Sequence, residues 1–167
     1  MNKTTLRLLL WEDCNRKCPG CCNKDWDLTK LPVCWDFSPY KEILLTGGEP
    51  MLYPAWVAEI IRHIRSQTNA SIYMYTAETC YAEDLVSILY LLDGITVTLH
   101  SQWDVQPFLY FAAIVKNMEN KSRRVNVFEG VNLTIPEDWE AKTDVRWIKN
   151  CPLPDNEVFM RYALPPS

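Results

Sequence analysis

Apolar residues along the chain follow two spacings, one typical of β-strands and one typical of α-helices, and the two kinds of segment alternate. Short apolar runs predict strands at residues 5–11, 42–46, 71–76 and 95–100, a fifth within 124–135 and a sixth at 145–148. Apolar residues three and four positions apart predict helices at 53–66, 82–92 and 105–118, and a short helix at 136–141. Prolines exclude a long helix from residues 25–41 and predict an extended tail at 151–167.

The alternation of strands and helices predicts an α/β fold with a mostly parallel sheet. Five or six such units are too few for a closed eight-stranded barrel, so we expect an open or partial (βα)5-6 barrel. Residues 1–150 would form this domain, with residues 151–167 packed on or near it as a tail. In open parallel sheets, ligands bind at the carboxyl ends of the strands, so candidate chemistry is sought there.

Composition narrows the classes of function. The chain has 167 residues, 48% of them hydrophobic, and a formal net charge of -4, which makes nucleic acid an improbable partner. No secretory signal and no apolar stretch of membrane-spanning length is visible, so we expect a cytoplasmic protein without a membrane partner. Seven cysteines in such a chain indicate metal or redox chemistry rather than a disulfide framework.

The loop after the first predicted strand is crowded with cysteine. Cys14, Cys18 and Cys21 have the spacing C-x3-C-x2-C, and Pro19 and Gly20 suit a sharp turn between the last two. Three thiolates in one loop can bind three irons of a [4Fe-4S] cluster and leave the fourth iron open. A structural zinc site is the alternative, and it would need a fourth ligand from Cys34, Cys80 or Cys151. Thiols that bind no metal are a further alternative.

A glycine-rich turn follows the second predicted strand. It consists of Gly47, Gly48, Glu49 and Pro50, and alone it is typical of an ordinary turn between a strand and a helix. Because it follows a parallel strand, as the cysteine loop does, we expect both loops at the same edge of the sheet.

The stretch CNRKCPGCCNKDW at residues 14–26, followed by LLTGGEPMLYP at 44–54, resembles the radical S-adenosylmethionine (SAM) superfamily. The resemblance implies that Cys14, Cys18 and Cys21 hold a [4Fe-4S] cluster whose fourth iron is chelated by SAM. It implies that the loop of Gly47, Gly48, Glu49 and Pro50 binds the SAM amino group. By position, Thr76 is a candidate SAM contact, and His100 and Ser101 are candidate polar contacts. The last two have an equally good interpretation as a loop that caps the helix at 105–118.

Two departures from the family pattern affect the cluster pocket. Many members have an aromatic residue just before the third cysteine, where this chain has Gly20. The first helix after the cluster loop is short or missing, because Pro32 and Pro39 interrupt that segment.

The resemblance implies an oxidoreductase that cleaves SAM reductively to a 5′-deoxyadenosyl radical, which abstracts hydrogen from a substrate. An electron donor is then a required partner, and no catalytic residue beyond the cofactor ligands is predicted. Residues 14–24 are most similar to the activating protein of anaerobic ribonucleotide reductase, which implies a glycyl-radical enzyme as protein substrate.

Three other interpretations stay open. One is an enzyme similar to 7-carboxy-7-deazaguanine synthase, acting on a small nucleotide- or pterin-like molecule. Another is a small stand-alone enzyme that acts on a peptide. The third is a non-catalytic iron–sulfur or zinc module, which would bind metal without cleaving SAM.

Overall fold

A computed structural model of the protein describes residues 3–149 and 151–163. These residues form one eight-stranded sheet in which every pairing is parallel, with the strand order β2-β8-β1-β3-β4-β5-β6-β7. The strands are β1 (Thr5–Leu9), β2 (Val33–Cys34), β3 (Glu42–Thr46), β4 (Ser71–Thr76), β5 (Gly94–Leu99), β6 (Ser122–Phe128), β7 (Glu140–Val145) and β8 (Glu157–Tyr162).

Three helices connect the central strands, α1 (Pro54–Gln67), α2 (Ala82–Leu91) and α3 (Val105–Val115). The three longer predicted helices, at 53–66, 82–92 and 105–118, are confirmed to within three residues at their ends. The helices pack in succession, α1 on α2 and α2 on α3, and bury their apolar stripes against the sheet. The predicted α/β class with an open parallel sheet is therefore confirmed, and the fold is consistent with a partial barrel. None of the described helices has the length and hydrophobicity that crossing a bilayer requires.

The two faces of the sheet differ in chemistry. On one face, side chains such as Leu6, Ile43 and Met74 are fully buried under the helices. The alternate positions of the same strands form the opposite face, which we call the open face, and they carry mostly polar side chains. On strands β1, β3, β4, β5, β6 and β8 they include Thr5, Arg7, Glu42, Leu44, Tyr73, Tyr75, Thr96, Arg124 and Glu157. Parallel sheets usually have both faces covered by apolar packing, so a polar open face sets this sheet apart.

The chain between β6 and β7 differs from the prediction. The fifth strand ends at Phe128, and the sixth is at Glu140–Val145, before the predicted 145–148. The short helix predicted at 136–141 is absent. A single turn is closed there by Trp139 N–H donating to the Pro136 carbonyl, and the Trp139 ring packs edge-on against Phe108 and Phe111. The apolar residue of this segment, Trp139, therefore anchors a turn to α3 and does not belong to a helix.

The tail contributes a strand, which the sequence analysis missed. Strand β8 lies between β1 and β2 and pairs with β1 over five residues, from Thr5↔Glu157 to Leu9↔Arg161. Prolines before it made the segment look merely extended, and its partner is about 150 residues away in the chain. The tail therefore completes the sheet beside the strand that leads into the cysteine loop. Residues 164–167 of the predicted tail lie outside the described residues.

The face assignment predicts different costs for two neighbouring truncations. Ile43→Ala should lower the free energy of unfolding by about 2–5 kcal/mol, because it empties a fully buried site under the helices. Leu44→Ala is the matched control on the half-buried open face and should cost clearly less. Urea unfolding of both variants measures the difference, and equal losses would contradict the assignment.

Candidate functional site

Four loops that carry predicted site residues leave the sheet at one edge, the carboxyl ends of β1, β3, β4 and β5. The cysteine loop follows β1, and the loop of Gly47 to Pro50 follows β3, its neighbour in the sheet. Thr76 ends β4, and His100 and Ser101 follow β5. The parallel order of the strands therefore brings these segments to one edge.

The glycine loop is hydrogen-bonded to the start of the cysteine loop. Gly48 N–H donates to the Trp11 carbonyl at 2.9 Å, and Glu49 N–H donates to the Asp13 carbonyl at 2.8 Å. The Trp11 indole N–H donates back to the Glu49 carbonyl at 3.1 Å. These bonds extend the β1–β3 pairing past the strand ends to the residue directly before Cys14.

Close packing explains why both positions are glycine. A Cβ on Gly48 would lie 1.9 Å from the Asp13 carbonyl oxygen, and a Cβ on Gly47 would lie 2.7 Å from that of Trp11. The resemblance places these glycines in the loop that would bind the SAM amino group. The structure shows that they also let the two loops approach each other. The Gly47 carbonyl accepts a hydrogen bond from the Asn23 amide at 2.8 Å.

Glu49 is a buried carboxylate that joins β3 to β4. It accepts hydrogen bonds from the Thr76 hydroxyl at 2.5 Å, from Ala77 N–H at 3.0 Å and from Met51 N–H at 2.9 Å. Burial raises the pKa of Glu49, although these bonds and the charge of Arg16 favour the ionised form. The structure thus places the Thr76 hydroxyl, a predicted SAM contact, on Glu49, and Glu49 fixes the loop.

Arg16 ties the cysteine loop to two further strand ends. Its guanidinium forms an ion pair with Asp104 at 3.0 Å and donates to the Ala77 carbonyl at 2.6 Å. Asp104 also accepts from the backbone N–H groups of His100 at 2.8 Å and Ser101 at 3.0 Å. The sequence gives no sign of this ion pair, because no spacing rule connects Arg16 to a residue 88 positions later.

The three predicted cluster cysteines are all free thiols of one loop. Cys14 is exposed, and Cys18 and Cys21 are half-buried. Burial raises the pKa of Cys18, and the neighbouring Cys21 and Cys14 raise it further, so the three thiols lie within electrostatic reach of each other. The Lys24 ammonium donates to the Cys18 carbonyl at 2.9 Å and brings positive charge to the loop.

A single metal ion and an iron–sulfur cluster need different arrangements of thiolate ligands. Within residues 3–149 and 151–163, no three His, Cys, Asp or Glu side chains are grouped as ligands of a single metal ion. An iron–sulfur cube asks for a different arrangement, one thiolate for each of three irons rather than three around one ion. Cys14, Cys18 and Cys21, three free thiols of one loop, supply the number and kind of ligands that such a cluster needs.

An aromatic cluster covers the turn between Cys18 and Cys21. The Trp147 ring stacks on His100 at 5.3 Å between ring centroids and lies 4.6 Å from Phe128. A Cβ on Gly20 would be only 2.4 Å from Trp147 Cγ, so the indole lies directly against Gly20. Trp147 thus places an aromatic ring beside the position where the family pattern expects one. Sequence reasoning missed it, because it comes from beyond β7.

His100 and Ser101 have different surroundings. The backbone of Ser101 bonds to Asp104 and begins the short 3₁₀ turn Gln102–Asp104, so the capping interpretation applies to Ser101. His100 lies in the aromatic cluster, and burial lowers its pKa, with the charge of Arg16 acting in the same direction. Its Nδ1 is buried and bonds to none of the described residues.

One disulfide corrects the expectation from cysteine content. Cys22 is bonded to Cys151, 129 residues away, which fastens the tail to the cysteine loop. Sequence spacing gave no sign of it, because β8 has to pair with β1 before the two residues can meet. While bonded, Cys151 is not available as a zinc ligand. Cys34 is a buried thiol and Cys80 an exposed one.

The Arg16–Asp104 pair predicts a pH dependence of stability. Burial favours the neutral acid, but hydrogen bonding to Arg16 and its charge, with the N–H groups of Ser101 and His100, hold the pKa of Asp104 below its usual range. A depressed pKa stabilises the fold above the unfolded value of about 3.9, and this contribution is lost as pH falls through the folded pKa. Asp104→Asn should therefore be less stable at pH 7 and lose less stability below about pH 4.

Thermal unfolding between pH 7 and pH 2.5 measures this effect, and Asp84→Asn, an exposed position on α2, is the control. Parallel pH profiles for wild type and Asp104→Asn would contradict the assigned role of the ion pair.

Comparison of the chain with family models, with curated proteins and with solved structures finds no match in any of the three. What the chain does has to be inferred from its own residues and their contacts.

Proposed function

We propose that the protein is a radical SAM enzyme, which binds a [4Fe-4S] cluster at the cysteine loop and SAM beside it. The observation that carries the proposal is the backbone contact of Gly48 and Glu49 with Trp11 and Asp13. That contact joins a loop of three free thiols to a glycine loop at the carboxyl edge of a parallel sheet. The sequence resemblance requires both loops, and this fold brings them together.

Each of Cys14, Cys18 and Cys21 would bind one iron, which leaves the fourth iron for SAM. The carbonyls of Gly47 and Gly48 are the candidates to accept hydrogen bonds from the SAM amino group. The side-chain amide of Asn23 donates to the Gly47 carbonyl in this structure. Glu49 would act through the loop, since its oxygens already accept three hydrogen bonds. Thr76 would likewise position Glu49.

When bound, the cluster and SAM would together supply a 5′-deoxyadenosyl radical that abstracts hydrogen from a substrate. The protein would hold the reactants in place and exclude water, which protects a radical from side reactions. Arg16 and Lys24 bring positive charge to a loop whose thiolates and cluster are negatively charged. Arg16 also fixes the loop to β4 and β5, which keeps the thiols in one arrangement.

The aromatic cluster of Trp147, His100 and Phe128 is our candidate for the adenine subsite of SAM. A purine ring stacks on aromatic side chains with about 1–3 kcal/mol per base. The indole of Trp147 lies against Gly20, between two of the proposed iron ligands, and 38% of it is accessible. A base stacked there would lie next to the cluster.

Two classes of substrate stay as proposals. The similarity of residues 14–24 to the activating protein of anaerobic ribonucleotide reductase favours a glycyl-radical enzyme. The polar open face favours a small molecule, because a cavity on it is lined in part by Cys22 and Asn23 of the cysteine loop.

Anaerobic reconstitution with iron and sulfide tests the chemistry itself. After reduction with dithionite, the wild type should bind about four irons per chain and convert SAM to 5′-deoxyadenosine. Cys18→Ala should abolish product, because the cluster loses one of three thiolates. Cys80→Ala, an exposed thiol outside the cysteine loop, should keep it. Tight zinc binding without iron uptake, or a full cluster that never cleaves SAM, would point to the non-catalytic module.

The adenine subsite predicts the effect of changing Trp147. Trp147→Ala should weaken SAM binding about tenfold, in line with the loss of one stacking contact, while Trp147→Phe should largely retain it. Equilibrium dialysis with the reconstituted protein measures this. Trp103→Ala is the matched control, since that indole is 90% exposed and outside the cluster. Unchanged binding in Trp147→Ala, with the cluster intact, would place the base elsewhere.

A further inference from the structure

Two cavities lie along the open face, and Tyr75 lines both of them. The lower cavity, toward the amino ends of the strands, and the upper cavity, toward the cysteine loop, each measure about 200 Å³. Either is smaller than the roughly 300–1,000 Å³ pockets that hold drug-sized ligands, so each suits part of one small molecule. Because Tyr75 lines both, the two cavities are neighbours on the open face.

The upper cavity touches the proposed reaction centre. Cys22 and Asn23 of the cysteine loop line it, and the Asn23 amide is bonded to the Gly47 carbonyl. Trp26 and Phe159, which pack edge to face at 5.4 Å, form an apolar wall. A hydrocarbon group in this cavity would be the part of a ligand nearest to SAM.

The lower cavity is rich in hydroxyl groups from residues of three strands, β4, β5 and β6. Within the described part of the chain, none of these hydroxyls hydrogen-bonds another residue, so each is available to a ligand or to water. They belong to Tyr73, Tyr75, Thr96 and Ser122. Polar groups that converge on a cavity in this way orient a ligand and give a site its specificity.

Both signs of charge are present at the lower cavity. Glu42 lines it from β3, with one oxygen 3.4 Å from the Thr5 hydroxyl, and Arg124 lines it from β6. Glu157 also lines it and is paired with Arg7 at 2.9 Å. Arg124 lies 3.6 Å from Glu140, but that pair is exposed and therefore weak. The charged groups offered to a ligand are therefore the Glu42 carboxylate and the weakly paired Arg124 guanidinium.

The position of these two charges limits the shape of the ligand. Two strands, β4 and β5, separate Glu42 from Arg124. Neighbouring strands are about 4.8 Å apart, so the two backbones are on the order of 14 Å apart before curvature and side-chain reach shorten the gap. A ligand that meets both needs its opposite charges at its two ends. Burial raises the pKa of Tyr75, and the four charged groups act on it in opposing directions, so its phenol lies amid both signs of charge.

We propose that the open face binds a small elongated zwitterion, a short peptide or amino-acid derivative with free amino and carboxylate groups. Its ammonium would meet Glu42, its carboxylate would meet Arg124, and an apolar side chain would enter the upper cavity against the wall formed by Trp26 and Phe159. As an assignment of substrate, this inference rests on the proposed function. As a binding site, it stands on the cavities alone.

Saturation-transfer NMR with the reconstituted protein tests the site. The probes are a pool of dipeptides and tripeptides with free ends, the same peptides acetylated and amidated, a pool of free α-amino acids, and guanosine. We expect only the free peptides to bind, because the blocked peptides and guanosine lack the two charges and an α-amino acid carries both charges on one carbon. For the best probe, Glu42→Gln and Arg124→Gln should each raise the Kd at least tenfold. Arg62→Gln, an exposed charge on α1 under the other face, should leave it unchanged.

Three results would overturn the inference: no pool binds, the blocked peptides bind as well as the free ones, or guanosine binds in place of the peptides and responds to the same variants. The proposed function is tested separately by 5′-deoxyadenosine formation without substrate, which the control variant Arg62→Gln should leave intact. SAM cleavage without zwitterion binding would overturn only the substrate class. Zwitterion binding without SAM cleavage would leave the site and remove the proposed enzyme.

Discussion

Two backbone hydrogen bonds, from Gly48 to Trp11 and from Glu49 to Asp13, hold the glycine loop against the start of the cysteine loop. They form only because neither Gly47 nor Gly48 has a side chain, since a Cβ at Gly48 would overlap the Asp13 carbonyl. Everything proposed for the site depends on this contact. It fixes the start of the cysteine loop just before Cys14. It also places Glu49 where its carboxylate accepts hydrogen bonds from Thr76 and Ala77 at the end of β4.

The rest of the edge is held by buried charge. Glu49 joins β3 to β4, and Arg16 joins the cysteine loop to β4 and β5 through Asp104. Each of these groups makes several hydrogen bonds, as buried charges need. Because a buried ion pair adds little net stability over apolar packing, its role here is geometric. It holds one arrangement of a loop that has short 3₁₀ turns but no long helix of its own.

The sequence predicted what is local in this fold. Apolar spacing placed α1, α2 and α3 and strands β3, β4 and β5, because each of these buries a regular stripe or run under one layer. It failed where the structure depends on distant partners. Strand β8, the Cys22–Cys151 bond and the place of Trp147 on Gly20 each join segments more than 120 residues apart. Arg16 shows the same limit, since its partner Asp104 lies 88 positions later in the chain.

The electron paramagnetic resonance spectrum of the reduced, reconstituted protein, recorded with and without SAM, tests the central claim most directly. A cluster held by Cys14, Cys18 and Cys21 has one iron without a protein ligand, so SAM should bind there and shift the spectrum. Adenosine should not shift the spectrum, because it lacks the methionine part of SAM that carries the chelating amino and carboxylate groups. A reduced cluster whose spectrum does not change on adding SAM, or a protein that takes up zinc and no iron, would contradict the account.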